Sequence, residues 1–205
     1  MNVRRTLSSL SRRSTVPSRF RPPVVVLIVA AVVSGCGASS DLPTDAPPLE
    51  LRLADLQRTV ETARDKFTAL AAAMPADDLA WRPMEGVRSV SEVYIHIAAD
   101  NFFVPALMGW EAPAATGITS DVTTFRTYQQ RTMSRDEMLA ALDASFEFFL
   151  TSMEQSAGDL DREVVLGTPT TVADVWIRAV THLHEHLGQS IAYARSNEVV
   201  PPWSG

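Results

Sequence analysis

Cysteine is almost absent from this sequence, which has a single one, Cys36, among 205 residues. One cysteine cannot form an intramolecular disulfide, and it cannot supply the several thiolates of a cysteine-rich zinc module. A long apolar stretch is also lacking, because the unbroken run from Val24 to Val33 has only ten residues. A mature helix needs about 20 apolar residues to cross a bilayer, so this run is too short to be one.

Acidic residues are missing from the first 40 positions, although six arginines lie there. A basic start, an apolar run and the small residues Ser34 and Gly35 have the order of an export signal. The sequence Val33-Ser34-Gly35-Cys36 resembles a lipobox, the cleavage and lipidation site of bacterial lipoproteins. This resemblance implies that residues 1–35 are removed and that Cys36 carries lipid. The alternatives are an uncleaved anchor and a start codon further downstream.

Removal of residues 1–35 would change the formal charge from −6 to −12, because it removes six basic residues and no acidic one. Phosphate backbones are bound by basic surfaces, so this charge argues against nucleic acid as a partner. Residues 36–48 are rich in Ser, Pro, Asp and Gly and are typical of a flexible tether. We therefore expect one folded domain, at residues 49–205.

Apolar residues of this domain recur at alternating spacings of three and four, which is typical of helices in a bundle. The pattern predicts helices over 49–74, 89–108, 135–156 and 172–197. Residues 109–133 are predicted to form a long crossover or lid between the second and third helices. Residues 158–171 are predicted to be a connection, and no convincing strand ladder is seen. The predicted fold class is all-α, a four-helix bundle with one long connection.

Two of these helices have recognisable starts. Ser89 precedes Glu92 by three residues, and Ser134 precedes Glu137 by three. This spacing matches a capping box, in which serine and glutamate each bind a backbone N–H of the first turn. Thr171 is the expected N-cap of the last helix.

Three of the four histidines occupy the apolar stripes of these helices. His182 and His186 are four apart, so they share one helical face and can chelate one metal ion. His96 is on the stripe of the second helix, whereas His184 points elsewhere and is predicted to be solvated. Burial of an imidazole is costly without a partner. The residues favour a metal site, and the alternative is core histidines with one hydrogen bond each.

The last predicted helix carries the pattern H-x-x-x-H-x-G-Q at residues 182–189. W-R-P at residues 81–83 and R-S-V at residues 88–90 precede His96. These motifs, in this order and spacing, resemble the DinB/YfiT-like family of metalloenzymes over residues 50–205. The resemblance implies an up-down-down-up four-helix bundle that binds a divalent metal ion, most often zinc or nickel.

Carried over by position, the resemblance makes His96, His182 and His186 the metal ligands. Three neutral ligands leave an open coordination position, which is typical of catalytic rather than structural metal sites. Asp100 lies one turn after His96 and is predicted to be a general base or an outer hydrogen-bond acceptor. The alternative for Asp100 is an ordinary aspartate on the helix surface.

Four more polar residues belong to the candidate site. Asn101 and Gln189 are predicted to orient the histidines or a substrate. Arg88 and Arg195 are candidates for contact with an anionic group of a substrate, and ordinary surface charge is the alternative for both.

Three hypotheses of function follow. The first is an exported metal-dependent enzyme, hydrolytic or thiol-transferase-like, that acts on an unknown small molecule. Some relatives use a low-molecular-weight thiol as cosubstrate, but such thiols are cytoplasmic, so export argues against a simple transfer of that activity. The second is a metal- or ligand-binding lipoprotein without turnover. The third, a structural bundle with merely buried histidines, is the least favoured.

The expected location is the cell envelope, with the domain anchored through Cys36 to a membrane outside the cytoplasm, on its periplasmic or extracellular face. The motifs do not choose between inner and outer membrane, and a homodimer stays open as the oligomeric state.

The lipobox predicts that Cys36→Ala releases the protein from the membrane, because the lipid attachment point is lost. In a bacterial host, immunoblots should find the parent in the membrane pellet and the variant in the soluble fraction. Ser39→Ala, a neighbouring change in the tether, should stay in the pellet. A Cys36→Ala variant that sediments fully with the membrane would show that the lipobox interpretation is wrong.

Overall fold

The computed structural model describes residues 49–204, most of which form four long helices. These are α1 (Leu49–Ala73), α2 (Val90–Leu107), α4 (Arg135–Gln155) and α5 (Val172–Ser196), with a short helix α3 (Val122–Gln129) before α4. The four predicted helices are confirmed, each end within one residue of the expected position. The predicted export signal, the predicted tether and Cys36 lie outside the described residues.

The core lies between the four long helices. Helix α1 packs against α4 and α5, and α2 packs against the same two helices. Aromatic rings join them, since Phe67 of α1 lies 5.9 Å from Phe146 of α4 and Phe149 of α4 lies edge-on to Trp176 of α5 at 5.0 Å. The fold is therefore an all-α helical bundle, as predicted.

Helix α2 is the most enclosed of the four, because α3, α4 and α5 all pack against it. Twelve of its 18 residues are buried, and the polar residues His96 and Asn101 are among them. Among the helices at 49–204, none is both long and apolar enough to span a bilayer.

The long connection predicted between the second and third long helices is present, and it contains a helix that was not predicted, α3, which takes up eight of its residues. The three threonines of α3 are poor helix formers, so the sequence alone gave little sign of it. Tertiary contacts supply the stability: Phe125 stacks on Phe103 of α2 at 4.8 Å, and Tyr128 lies edge-on to Phe102 at 6.0 Å. Asp121 caps the first turn by accepting a hydrogen bond from the backbone N–H of Thr123.

A two-stranded hairpin corrects the prediction of a plain connection at 158–171. Strand β1 (Glu163–Leu166) pairs in antiparallel register with β2 (Thr168–Thr171). Gly167 makes the turn possible because its φ of 76° is costly for residues with a Cβ. Each strand has only four residues, too few for an alternating pattern to stand out.

Both hydrogen bonds of the capping box of α2 are present. Ser89 Oγ accepts from the backbone N–H of Glu92 at 3.3 Å, and the backbone N–H of Ser89 donates to Glu92 Oε2 at 2.7 Å. The equivalent box of Ser134 and Glu137 starts α4. Both capping boxes are thus confirmed, and the first sets where α2 begins.

We expect Ser89→Ala to lower the free energy of unfolding by about 1 kcal/mol, because the first turn of α2 loses a capping acceptor. Urea unfolding of residues 37–205 measures this as a lower midpoint with an unchanged slope. Ser196→Ala, at an exposed position in the last turn of α5, serves as the matched control. Equal midpoints for the two variants would contradict the capping argument.

Candidate metal centre

Four side chains from two helices meet at one point between α2 and α5. His96 and Asp100 come from α2, and His182 and His186 come from α5. His186 Nε2 lies 3.0 Å from His96 Nε2 and 3.2 Å from His182 Nε2. Asp100 Oδ2 lies 3.1 Å from His96 Nε2 and 3.2 Å from His182 Nε2. The structure therefore brings together all four residues that the sequence singled out.

Helical geometry explains this convergence. Each helix contributes two residues that are four apart, which places them one above the other on the same face. Because α2 and α5 pack against each other, the two faces meet. Two pairs on neighbouring helices are enough to build a four-donor cluster without any loop.

The outer nitrogen of each histidine, Nδ1, faces an oxygen that can accept a hydrogen bond. His96 Nδ1 lies 2.8 Å from Gln129 Oε1, and His186 Nδ1 lies 2.8 Å from Gln189 Oε1. His182 Nδ1 is 3.4 Å from a carboxylate oxygen of Glu185. If each Nδ1 carries the proton, each Nε2 points a lone pair at the cluster.

Lone pairs at such short distances repel one another, and a cation among them removes the repulsion. A zinc ion about 2.0–2.1 Å from each imidazole nitrogen in a tetrahedral site holds these nitrogens roughly 3.4 Å apart. The two observed distances from His186 Nε2, 3.0 Å to His96 Nε2 and 3.2 Å to His182 Nε2, are close to that value. Three imidazoles and one carboxylate are also a donor set that zinc accepts, so the cluster fits a divalent metal ion.

The local environment shifts the pKa values of the three histidines in different directions. Burial lowers the pKa of His96 to about 4 and lowers the pKa of His186 below its ordinary value. The hydrogen bond to Asp100 raises the pKa of His182. At neutral pH, His96 and His186 are therefore uncharged and free to act as ligands, and His182 is the histidine that most readily takes a proton.

The cluster lies at the edge of the core, which corrects the expected inward position of both α5 histidines. The His96 side chain is 8% exposed, whereas that of His182 is 47% exposed. On α5 the core line passes through Leu183 and Leu187 instead. The predicted apolar stripe, which passed through His182 and His186, lies one residue before the residues that are buried. A helix of 3.6 residues per turn permits both lines, because each repeats at alternating spacings of three and four. The edge position gives solvent access to the cluster.

The neighbouring polar residues separate into those that contact the cluster and those that do not. Gln189 contacts His186, as expected, but Asn101 donates to Ser145 Oγ at 3.1 Å, on the side of α4. His184 is exposed, as expected, with Nδ1 2.8 Å from the carbonyl oxygen of Val180. The H-x-x-x-H-x-G-Q motif of α5 thus supplies two candidate metal ligands, His182 and His186, and one hydrogen-bond partner, Gln189.

Gln129 is the contact that sequence reasoning missed. It is the last residue of α3 and lies 33 positions from His96 along the chain. No motif marks it, because its role depends on the packing of α3 against α2.

A small cavity of about 20 Å³ adjoins the cluster. It is mostly apolar, and Asp100, His182 and His186 form one part of its wall. The rest comes from Ile97, Asn101, Val104, Phe149, Ala179 and Leu183. A volume of this size has room for about one water molecule, so a larger ligand would have to lie over the exposed side of the cluster.

The fold and the cluster together define a helical-bundle protein with a candidate metal centre between two of its helices. A family model described as the DinB superfamily matches residues 59–190, which is more than half of the chain and includes all four cluster residues. The chain belongs to the DinB superfamily.

A solved structure has a similar fold. It is a crystal structure of a DinB-like protein from Bacillus subtilis, 19% identical, with a TM-score of 0.53. The similarity covers 70% of this chain and 92% of that chain. At this identity it bears on the fold alone. No curated protein is significantly similar to the chain.

We expect Asp100→Asn to weaken metal binding, because it removes the negative charge that faces the Nε2 atoms of two histidines. A zinc titration against a competing chelating dye measures the affinity of residues 37–205. Asp143→Asn makes the same change at an exposed position of α4 and should leave the affinity unaltered. Equal affinity in parent and Asp100→Asn would place the carboxylate outside the site.

Proposed function

We propose that this protein is a metal-dependent enzyme of the cell envelope whose metal ligands are His96, His182 and His186, with the Asp100 carboxylate beside them. The observation that carries the proposal is the convergence of three imidazole nitrogens and one carboxylate oxygen, with neighbouring atoms 3.0 to 3.2 Å apart. These are atoms that bind a divalent metal ion once the imidazole nitrogens that face the centre are unprotonated. Membership of the DinB superfamily supports it, because DinB-like proteins are metal-binding.

The reaction class proposed is hydrolysis or a thiol-transferase-like transfer on an unknown small molecule. A divalent ion at this site would supply Lewis-acid chemistry. The chain itself supplies the rest. The side of the cluster on which His182 is half-exposed leaves room for a substrate to approach from solvent. The Asp100 carboxylate is close enough to the centre to accept a proton there. Zinc and nickel are the proposed metals, since imidazole suits both.

A second candidate is a metal- or ligand-binding lipoprotein without turnover. The size of the adjoining cavity favours it, because about 20 Å³ cannot enclose a substrate. Most small-molecule sites are clefts of several hundred Å³. The two candidates share the metal site and differ only in whether a substrate reacts there.

The envelope location is part of the proposal and rests on residues 1–36 of the sequence. A lipid on Cys36 would hold the domain at a membrane surface, with its formal charge of −12 exposed to the envelope. That charge repels anionic polymers, so the proposed partner is a small molecule rather than a nucleic acid.

Metal content tests the site that both candidates share. Residues 37–205 are purified without a histidine tag, and zinc, nickel, iron and manganese are measured by elemental analysis. We expect about one equivalent of metal in the parent and a large loss in His186→Ala, which removes a central ligand. His184→Ala removes a histidine outside the cluster and should keep the metal. A metal-free parent, or equal metal in parent and His186→Ala, would overturn the site.

Turnover separates the enzyme from the binding protein. A panel of ester, amide and thiol-conjugation substrates is assayed with the metal-loaded protein, and metal-stripped protein is the control. The enzyme proposal requires activity that disappears with the metal and returns when the metal is restored. Uniform silence over the panel, in a protein that binds metal, favours the second candidate.

A further inference from the structure

Arg88, the residue before the N-cap of α2, begins a hydrogen-bond chain that ends at His96. Its Nη2 donates to Gln129 Oε1 at 3.1 Å, and the same oxygen lies 2.8 Å from His96 Nδ1. A guanidinium group can only donate, so the atom of Gln129 that faces it is the oxygen and not the amide nitrogen. His96 Nδ1 must then donate to that oxygen, which leaves its Nε2 as an acceptor at the cluster.

A second chain runs from the backbone of Arg88 to His186. Tyr193 Oη donates to the carbonyl oxygen of Arg88 at 3.2 Å, and a carbonyl can only accept. The single hydroxyl proton is used there, so Tyr193 Oη accepts from Gln189 Nε2 at 2.9 Å. Gln189 Oε1 therefore faces His186 Nδ1 at 2.8 Å, and this nitrogen must donate.

Both chains leave the histidine with its proton on Nδ1 and its lone pair on Nε2. We propose that Arg88 is a positioning residue that fixes the tautomer of His96 through its side chain and that of His186 through its backbone carbonyl. The chains share no other residue. The consequence for metal affinity rests on the proposed function, but the tautomers themselves do not.

The second chain is held in place by packing. Tyr193 is 8% exposed, and Trp81 lies edge-on to its ring at 5.3 Å. The first chain is more open, because Arg88 is exposed and Gln129 lies at the end of the short α3. Loss of the Arg88 side chain should therefore affect one histidine and spare the other.

The positioning role and a purely electrostatic role predict opposite signs. A guanidinium charge near the cluster repels a cation, so removing it should strengthen metal binding if charge alone matters. Removing a group that orients a ligand histidine should instead weaken binding, by roughly 10- to 100-fold. The direction of the change thus distinguishes the two roles.

The experiment compares Arg88→Met, Arg88→Lys and Tyr193→Phe with the parent protein, residues 37–205. Long-range ¹H–¹⁵N NMR spectra of metal-free and zinc-loaded protein report which ring nitrogen carries the proton in each histidine. We expect Arg88→Met to mix the tautomers of His96 only and Tyr193→Phe to mix those of His186 only. Zinc affinity should fall in both variants and recover in part in Arg88→Lys, which keeps a donor.

Arg178→Met is the matched control, because Arg178 is a half-exposed arginine of α5 that pairs with Asp174. It should leave both tautomers and the zinc affinity unchanged. Unaltered tautomers in Arg88→Met and Tyr193→Phe, or tighter zinc binding by Arg88→Met, would overturn the inference. A parent that binds no zinc would overturn the proposed function instead, and the metal-free spectra would still test Arg88.

Discussion

The contact between α2 and α5 is the constraint on which the rest of the site depends. It brings two pairs of polar residues, each four apart, to one point, where four of the distances between their nitrogen and oxygen atoms are 3.0 to 3.2 Å. When each histidine carries its proton on Nδ1, four lone pairs face one another there and oppose the packing of the two helices. The remaining contacts of the bundle must hold them together, and a cation at the same point would convert this opposition into attraction.

The apolar core supplies that restraint. Helix α2 is covered by α3, α4 and α5, and α5 is fixed by Trp176, which packs on Phe149 and donates to Ser156 Oγ. Neither helix can move away from the other without exposing large aromatic surfaces. The histidines thus keep their positions because of the residues around them, and α3 adds both packing on α2 and the Gln129 contact.

Much of this could be predicted from the sequence, because helices in a bundle repeat their apolar residues and begin at recognisable caps. The four long helices and both capping boxes were predicted in this way, and the same periodicity placed His182 with His186, and His96 with Asp100, on shared helix faces. The family and the fold also followed from motifs on α2 and α5, and the superfamily match confirms them. These features depend on residues close together in sequence.

The features that were missed depend on residues far apart. Helix α3 contains threonines with low helix propensity and is stabilised by Phe102 and Phe103 of α2. Gln129 owes its role to that packing. The exposure of His182 was also missed, since the spacing of α5 fits two adjacent lines of residues and only the packed bundle selects Leu183 and Leu187 for the core.

The choice between catalysis and simple binding turns on the side of the cluster that faces water. His96 is buried, whereas His182 is half-exposed, so solvent or a ligand reaches the cluster from the His182 side. Asp100 Oδ2 also lies on that side, 3.2 Å from His182 Nε2. If Asp100 occupies a coordination position, the four donors form a closed set, which is typical of structural metal sites. If Asp100 stays outside that set, one position is open and a carboxylate stands beside it as a base. The same four residues therefore support either function, and the position of one carboxylate oxygen decides between them.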